Sequence, residues 1–329
     1  MSLGVVVSCY RQERFLPRTM GALERALEGR EWRGVLVLAA PSEASLPGYS
    51  ARWTVLRGAD PGVRWPLTPG AGRMAGFRAC GGEWVLFVDA DTEVEADWVR
   101  AAIARAEREP GLAGIGGRID EWFEDGTAER PGQPDLLRVG SAERAVDYLA
   151  ALALYRRDAL AAAGGYDVRL NSEEDFELGM RLRWRGFELR SLGMLGARHW
   201  SAPRPSFAEL SRRWGTGICF GTGQALRIYA GRRGFGILLK RQRLYLAALG
   251  MWALGLIALA VSLAARSPVA IALWALIPLA IVAAMSVRKR SARLAVHSLL
   301  TWSVQGLGMI VGLFRATGGA VARPTGTSC

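Results

Sequence analysis

Residues 83–92 read EWVLFVDADT, an apolar run that ends in two aspartates. Its Trp, Val and Phe content predicts a buried β-strand, and the polar end predicts a turn at the edge of a sheet. Helical spacing of apolar residues predicts helices at 14–26 and 72–79. Further strand signals lie at 3–8, at 34–39 and, more weakly, at 53–56. Alternation of this kind predicts an α/β domain with a mainly parallel sheet covered by helices.

Two aspartates, Asp89 and Asp91, leave the strongest strand of this sheet. Ligands of open α/β sheets bind beyond the carboxyl ends of the strands. Carboxylates one residue apart can hold a hard divalent cation that bridges the phosphates of a diphosphate. Aspartate is also common where a strand simply turns. The residues alone leave a metal site and turn chemistry both open.

A second acidic group lies at the predicted start of a helix, in the order Ser172, Glu173, Glu174, Asp175. Ser172 can cap that helix, and acids in a first turn complement the helix dipole without any catalysis. Three acids in a row exceed what a cap requires. A carboxylate held at a helix start can also take the proton of an attacking hydroxyl, so both interpretations remain open.

The net charge of +12 is distributed very unevenly along the chain. Residues 202–329 hold sixteen Lys or Arg against the single acid Glu209, a balance of +15, and residues 1–201 sum to −3. The positive charge accompanies long apolar runs, which favours anionic lipid headgroups as the partner rather than nucleic acid.

Three uncharged stretches in this region are long enough to cross a bilayer. They cover residues 244–265, 267–287 and 294–314, and the first would extend over about 33 Å as a helix. The third contains His297 and Gln305. A bundle of buried soluble helices is the alternative, but basic residues punctuate the stretches as in membrane proteins. We expect a domain at 1–203, an interfacial segment at 204–240, transmembrane helices within 241–316 and a tail at 317–329.

Orientation follows from the basic residues. The clusters that precede the first stretch (Lys240, Arg241 and Arg243) and follow the second (Arg288, Lys289, Arg290 and Arg293) predict cytoplasmic loops. The turn between the first two stretches has only Arg266. This predicts a multi-pass protein of the cell membrane with a cytoplasmic N-terminal domain and, if the third stretch spans, an outside C-terminus. The tail would lie inside if it does not span.

Residues 206–235 mix aromatic side chains with arginines, including Phe207, Trp214, Phe220, Arg212 and Arg213. Aromatic rings at headgroup depth with arginines at lipid phosphates would make this an interfacial helix pair. A solvated linker is the alternative. The four cysteines form no CxxC pair, so no zinc site is predicted. The first residues lack the basic segment and apolar run of a signal peptide, so none is predicted.

In their order, these segments resemble family-2 glycosyltransferases with the GT-A fold over residues 3–200. Residues 5–13, VVVSCYRQE, resemble the family's first strand and nucleotide-binding turn, and residues 72–76, GRMAG, resemble its "ARNxG" helix start. Residues 83–91 resemble the strand and DxD motif. Residues 155–160 and 164–167 resemble the acceptor-side segment, and Glu174-Asp175 the ED pair.

The resemblance implies a role for each matching residue. Tyr10 and Glu13 would meet the base, and Asp175, beside Glu174, would be the general base of an inverting transfer. Asp91 would be the main ligand of Mn²⁺ or Mg²⁺, Asp89 a ribose or metal contact, and Arg73 would offset charge on the leaving diphosphate. His199, one of two histidines in the chain, would add a metal or phosphate contact, although a hydrogen-bonded structural role fits it equally well.

Three departures from the family pattern bear on specificity. Ala39 and Ala40 stand where the family has an Asp-rich turn for the base, and Met74 replaces the asparagine of "ARNxG". Residues 210–214, LSRRW, keep only the RW of the processive enzymes' QxxRW. We therefore expect transfer of a single sugar from a nucleotide-sugar donor to a lipid or lipid-linked acceptor. An inactive scaffold of the same fold and a nucleotidyltransferase are the alternatives.

Overall fold

The computed structural model describes residues 1–39, 50–57, 67–109, 111–124, 128–201 and 207–315. Two compact units divide the chain, Met1–Pro203 and Arg204–Ala316. The boundary agrees with the composition change that the sequence shows. Each unit is described by itself below.

The first unit alternates strands and helices. Its strands are β1 (Leu3–Cys9), β2 (Trp32–Leu38), β3 (Trp53–Arg57), β4 (Trp84–Asp89), β5 (Thr92–Val94), β6 (Leu112–Glu124), β7 (Glu129–Pro131), β8 (Arg144–Ala145), β9 (Leu152–Arg156) and β10 (Glu188–Ser201). Its helices are α1 (Leu16–Ala26), α2 (Pro69–Ala79), α3 (Ala96–Arg108), α4 (Arg157–Ala162) and α5 (Glu174–Trp184). Each sequence-predicted strand and helix is present, and α2 begins three residues before the expected start because Thr68 caps it.

All described strands join one mixed sheet in the order β3-β2-β1-β4-β9-β6-β10-β5, with β7 beside β6 and β8 beside β10. The strands from β3 to β4 are parallel neighbours, as are β6 and β10. The strand β9 is antiparallel to both β4 and β6. The sheet is therefore parallel in its first half and mixed in its second, and the carboxyl ends of β1 and β4 meet at one edge.

Two apolar cores cover the faces of the sheet. One contains Leu16 and Leu23 of α1 with Trp98 of α3, and the other contains Phe77 of α2 with Leu178 of α5. The central strands are buried on both faces, which explains why their sequences are continuous apolar runs rather than alternating ones.

The second unit is helical. It contains α6 (Phe207–Gly215), a 3-10 turn (Ile218–Phe220), α7 (Gly221–Ile228), α8 (Phe235–Arg241), α9 (Arg243–Ala264), α10 (Val269–Lys289) and α11 (Ala292–Phe314). The last three are long and apolar enough to cross a membrane. They coincide with the three uncharged stretches of the sequence.

The segment expected at headgroup depth is only partly exposed. Phe207 and Trp214 are exposed, as that expectation requires. Phe220 and Leu226 are buried instead, because the 3-10 turn and α7 pack against α11. A sequence of mixed aromatic and basic residues does not reveal which aromatic rings another helix will cover.

Candidate active site

The candidate site lies where the parallel strands β1 and β4 end. Their register pairs Ser8 with Asp89, so the residues that follow both strands share one edge of the sheet. The Ala90 amide donates to Ser8 O at 3.2 Å, and the Asp89 amide donates to Ala151 O at 3.0 Å. These backbone bonds fix Asp89 and Ala90 against β1 and against the residue that precedes β9.

Arg73 connects three of the predicted acidic residues. Its guanidinium donates to Glu174 Oε1 at 2.5 Å and to Asp89 Oδ1 at 2.7 Å, and it lies 3.5 Å from Asp175 Oδ1. The Tyr166 ring centre is 5.5 Å from the guanidinium carbon. A buried arginine therefore neutralises carboxylates that come from β4 and from α5.

The helix α2 brings Arg73 to this place by packing unusually close to the sheet. A Cβ on Gly76 would lie 2.3 Å from Val6 Cγ1, and one on Gly72 would lie 2.6 Å from Ser8 Oγ. Only glycine permits this approach, and both glycines follow one face of the helix. Met74, which departs from the family pattern, packs over Gly165, whose φ of +70° and missing side chain leave space for its sulfur.

The acidic helix α5 starts at a residue in the left-handed conformation, which the sequence does not predict. Its N-cap residue is Glu173 rather than Ser172, with φ of 70° and no capping hydrogen bond from its side chain. A left-handed residue other than glycine is uncommon and often occurs at functional positions. The sequence had suggested Ser172 as the cap, which lies one residue before the N-cap of the structure.

Burial changes the acidity of the α5 carboxyl groups. Burial raises the pKa of Asp175 well above its usual range, and Glu174 and Asp89 add to this, while Arg73 acts in the opposite direction. Burial likewise raises the pKa of Glu174, with Arg73 again opposing it. A carboxylate with a raised pKa has a stronger affinity for a proton, which is what a general base needs.

Asp91 has different partners from Asp89. Its Oδ2 accepts a hydrogen bond from Gln12 Nε2 and lies 3.3 Å from His199 Nε2. The register of β10 on β5 places His199 opposite Thr92, and the Trp200 amide donates to Asp91 O at 2.7 Å. The other carboxylate oxygen, Asp91 Oδ1, is buried without a hydrogen-bond partner among the described residues.

The two aspartates therefore have different side-chain partners, although their spacing had suggested a common cation. Asp89 ends β4, and the turn at 90–91 reverses the direction of the chain before β5. Within the described ranges, no three His, Cys, Asp or Glu side chains are clustered closely enough to form a metal site by themselves. Asp91 and His199 form a pair, while Asp89 belongs to the Arg73 cluster.

The proposed base-binding residues lie at the same edge of the sheet. Tyr10 is half-buried and packs against the core on the α2 side, and Glu13 begins the short 3-10 turn that leads into α1. Ala40, part of the departure at the second strand, lies outside the described residues. The sequence analysis assigned no role to Gln12. Its position just beyond β1, the parallel neighbour of β4, could have indicated that it lies near the residues that follow β4.

Comparison with known proteins supplies a family for the first unit. Residues 4–164 match the sequence model of glycosyl transferase family 2. The matched range contains Tyr10, Arg73, Asp89 and Asp91 and ends before the acidic helix. No curated protein matches the sequence significantly.

Several solved structures are similar to this chain. PcManGT, a mannosyltransferase from Pyrobaculum calidifontis in complex with GDP-Man and Mn²⁺, is similar over 95% of this chain and 87% of its own, with TM-score 0.59 and 16% identity. GalNAc-T7 with UDP, GalNAc and Mn²⁺ is similar over 62% of this chain and 44% of its own, with TM-score 0.47 and 15% identity. The S. aureus TarS fragment is similar over 61% of this chain and 60% of its own, with TM-score 0.46 and 16% identity. The chain thus spans less than two thirds of the last two. The similarity to PcManGT, at 16% identity, establishes the fold alone.

Proposed function

We propose that the chain is a glycosyltransferase of family 2 that transfers a single sugar from a nucleotide-sugar donor to a lipid or other membrane-proximal acceptor, since residues 4–164 match that family and the fold is shared with PcManGT. One observation carries this proposal. Arg73 joins Asp89, at the carboxyl end of β4, to Glu174 and Asp175, at the start of α5. Charged groups suited to a diphosphate and to an attacking hydroxyl therefore lie within reach of one side chain.

Asp175 is the proposed general base. The acceptor hydroxyl oxygen forms a bond to the anomeric carbon of the donor sugar as the bond from that carbon to the diphosphate oxygen breaks. The hydroxyl proton passes to Asp175, and the electron pair of the broken bond leaves with the nucleoside diphosphate. Attack from the side opposite the leaving group inverts the anomeric configuration. Glu174, which accepts from Arg73, positions that arginine.

Arg73 has two proposed roles in this reaction. It lowers the pKa of Asp175 against the effect of burial, which favours the ionised form that can accept a proton. Its guanidinium is also a planar cation of the kind that binds phosphate oxygens, and it would offset the charge that grows on the leaving diphosphate. Asp89 orients Arg73 and is the proposed ribose contact. Tyr10 and Glu13 are the proposed contacts of the nucleobase.

Asp91 and His199 are the proposed holders of a divalent cation. The unpartnered Asp91 Oδ1 and the imidazole beside Oδ2 supply one oxygen ligand and one nitrogen ligand. Two protein ligands suffice for Mn²⁺ or Mg²⁺ when substrate phosphates complete the coordination. Bound there, the cation would neutralise charge on the diphosphate. The Mn²⁺ in PcManGT, a protein of the same fold, makes Mn²⁺ the first ion to test.

The membrane part of the proposal rests on the second unit. Its apolar helices imply a membrane protein, and the basic residues beside α9 and between α10 and α11 favour a cytoplasmic catalytic domain. An enzyme held at a membrane meets lipid-borne acceptors at high local concentration, which favours a lipid or lipid-linked acceptor. The proposed divisions remain a catalytic domain at 1–203, an interfacial segment at 204–240, a region of apolar membrane helices at 241–316 and a tail at 317–329.

The experiment that tests this function uses the full-length protein in lipid nanodiscs with a panel of nucleotide sugars and Mn²⁺. We expect one donor to raise the Tm and to be consumed with release of nucleoside diphosphate. Asp175→Asn should lower kcat by about 10²–10⁴-fold, because it removes the base and keeps the shape. The matched control Asp158→Asn changes an exposed carboxyl of α4 and should leave kcat unchanged.

Three results would contradict the proposal. Pyrophosphate release would indicate nucleotidyl transfer, and no Tm shift with any donor would indicate a scaffold. A product with retained anomeric configuration, determined by NMR, would exclude Asp175 as the base of an inverting reaction.

A further inference from the structure

The helix α11 has the length and apolar content of a membrane span, but its packing is unlike that of one. A spanning α11 would carry the chain away from the face of the bilayer at which α10 ends. The positions of its two ends within the second unit decide between a span and a helix that lies along the surface.

The C-terminal half of α11 packs against the 3-10 turn and α7. A Cβ on Gly312 would lie 2.1 Å from Phe220 O, and one on Gly223 would lie 1.9 Å from Met309 O, so the two backbones are in direct contact. Arg227 donates to Leu313 O at 3.2 Å, and the Arg315 guanidinium stands 4.7 Å from the Phe220 ring centre. The end of α11 is therefore fixed to α7.

The same end of α11 lies beside the start of α9. The helix α7 packs on α8, which leads directly into α9 at Arg243. A Cβ on Gly306 would lie 3.0 Å from Tyr245 O, and Trp252 Nε1 donates to Ser303 Oγ at 2.8 Å. The later α11 residue thus meets the earlier α9 residue, so α11 approaches the start of α9 as it proceeds.

The beginning of α11 lies on that side as well. The helices α9 and α10 form an antiparallel hairpin, since the Ile271 amide donates to Ser262 Oγ at 3.0 Å and Trp274 Nε1 donates to Met251 O at 2.9 Å. The end of α10 therefore returns to the side on which α9 starts. Because α11 begins at Ala292, just after α10 ends at Lys289, both of its ends are on one side.

We propose that α9 and α10 are the only two spans among the described helices, and that α11 lies in the cytoplasmic membrane surface, with α6 and α7 on top of it. A helix of 23 residues is about 34 Å long, so both ends can stay at one surface only if it lies nearly in the membrane plane. This goes beyond the proposed function and does not depend on sugar transfer.

The faces of α11 agree with this placement. Five exposed apolar residues recur at helical spacing and form one stripe: Val296, Leu300, Leu307, Ile310 and Phe314. The polar residues His297, Thr301 and Gln305 follow another face, where the His297 ring lies 5.8 Å from Phe207 of α6. The stripe would enter the acyl region, and the polar face would turn toward the headgroups.

The charges of α6 make an upright α11 energetically unfavourable. The helices α6 and α7 accompany α11 along its length, from Phe207 near His297 to Arg227 near Leu313. An upright α11 would hold the Arg212, Arg213 and Glu209 charges in the hydrocarbon, where charged side chains are costly. In the membrane plane, the same arginines meet lipid phosphates.

Thiol labelling of the full-length protein tests the placement of α11. Among the described residues, the cysteines Cys9, Cys80 and Cys219 are buried, so Cys329 serves as a reporter for the end that follows α11. In a Cys329→Ser background, Ala265→Cys marks the α9–α10 turn and Ala292→Cys marks the start of α11. The Ala265→Cys and Ala292→Cys variants, and the protein with native Cys329, are each treated with a membrane-impermeant maleimide in intact cells and again after detergent.

We expect Ala265→Cys to react in intact cells, and Ala292→Cys and Cys329 to react only after permeabilisation. Arg315→Cys, at an exposed position, provides a second reporter if Cys329 does not react in detergent. Reaction of the C-terminal thiol on the same side as Ala265→Cys would overturn the inference. If Ala292→Cys and Cys329 both react in intact cells and Ala265→Cys does not, the cytoplasmic orientation in the proposed function fails while the in-plane α11 stands.

Discussion

Arg73 is the residue on which the charged part of the site depends. It is nearly completely buried, and a buried guanidinium is tolerated only when carboxylates surround it. Asp89, Glu174 and Asp175 supply them, from two different elements. The arrangement holds the acids in one charge network before any substrate binds.

The activity should depend on pH through Asp175. Its pKa is raised by burial, so it gains a proton at a higher pH than an exposed aspartate does, and kcat/KM should fall as pH falls through that value. Arg73→Gln removes the charge that lowers this pKa and should move the acid limb of the pH–rate profile to higher pH. Arg73→Lys keeps the charge and should give an intermediate limb. An unmoved limb in folded Arg73→Gln would contradict the assignment of Asp175 as the base.

Gln12 should affect metal affinity without being a ligand. It donates to Asp91 Oδ2 and so orients the carboxylate toward a cation. Loss of such an outer partner typically weakens metal affinity by about 10–100-fold, which is the effect expected of Gln12→Leu. Mn²⁺ binding is measured by EPR on the purified protein. The control Gln133→Leu alters an exposed glutamine and should bind Mn²⁺ normally; equal affinity in the two variants would show that Gln12 has no such role.

At the scale of elements, the close packing of α2 on β1 positions the site. The glycines of α2 lie against the sheet, and this brings the helix near enough for Arg73 to reach Asp89 and α5. The pairing of the short β5 with the long β10 positions the surroundings of Asp91, because it brings His199 beside that carboxylate. Most of the site thus depends on helix-to-sheet and strand-to-strand distances.

Gly76→Val tests the role of this packing. The new side chain would overlap Val6 Cγ1 and approach Val37 Cγ2, so α2 must shift outward. Overpacking of this kind typically costs about 1–3 kcal/mol, and we expect a lower Tm together with a reduced kcat. Gly111→Ala is the matched control, because nothing lies within 4 Å of its added Cβ. An unchanged Tm for Gly76→Val would mean that the close approach is not required.

At the scale of the whole molecule, the chain combines two chemically different units. The first is slightly acidic and holds the candidate site, and the second carries nearly all the excess positive charge together with the apolar helices. A divided charge distribution of this kind suits an enzyme whose catalytic unit must stay in water while its anchor meets anionic lipid.

The sequence was sufficient for the features that depend on local pattern. Continuous apolar runs identify the central strands, and the order of motifs identifies the family with its GT-A fold. Long uncharged stretches identify α9, α10 and α11 as apolar helices. These predictions are confirmed because strand burial and helix hydrophobicity follow from neighbours along the chain.

Only the tertiary structure decided how the site residues pair. The spacing of Asp89 and Asp91 suggested a common cation and could not reveal their partners: Asp89 accepts a hydrogen bond from Arg73, whereas Asp91 accepts one from Gln12 and lies beside His199. Packing likewise buried Phe220 and placed the C-terminal half of α11 against α7 and the start of α9. Side-chain direction beyond a turn, and the side of a bundle that a helix covers, depend on contacts between residues far apart in sequence, which local pattern does not contain.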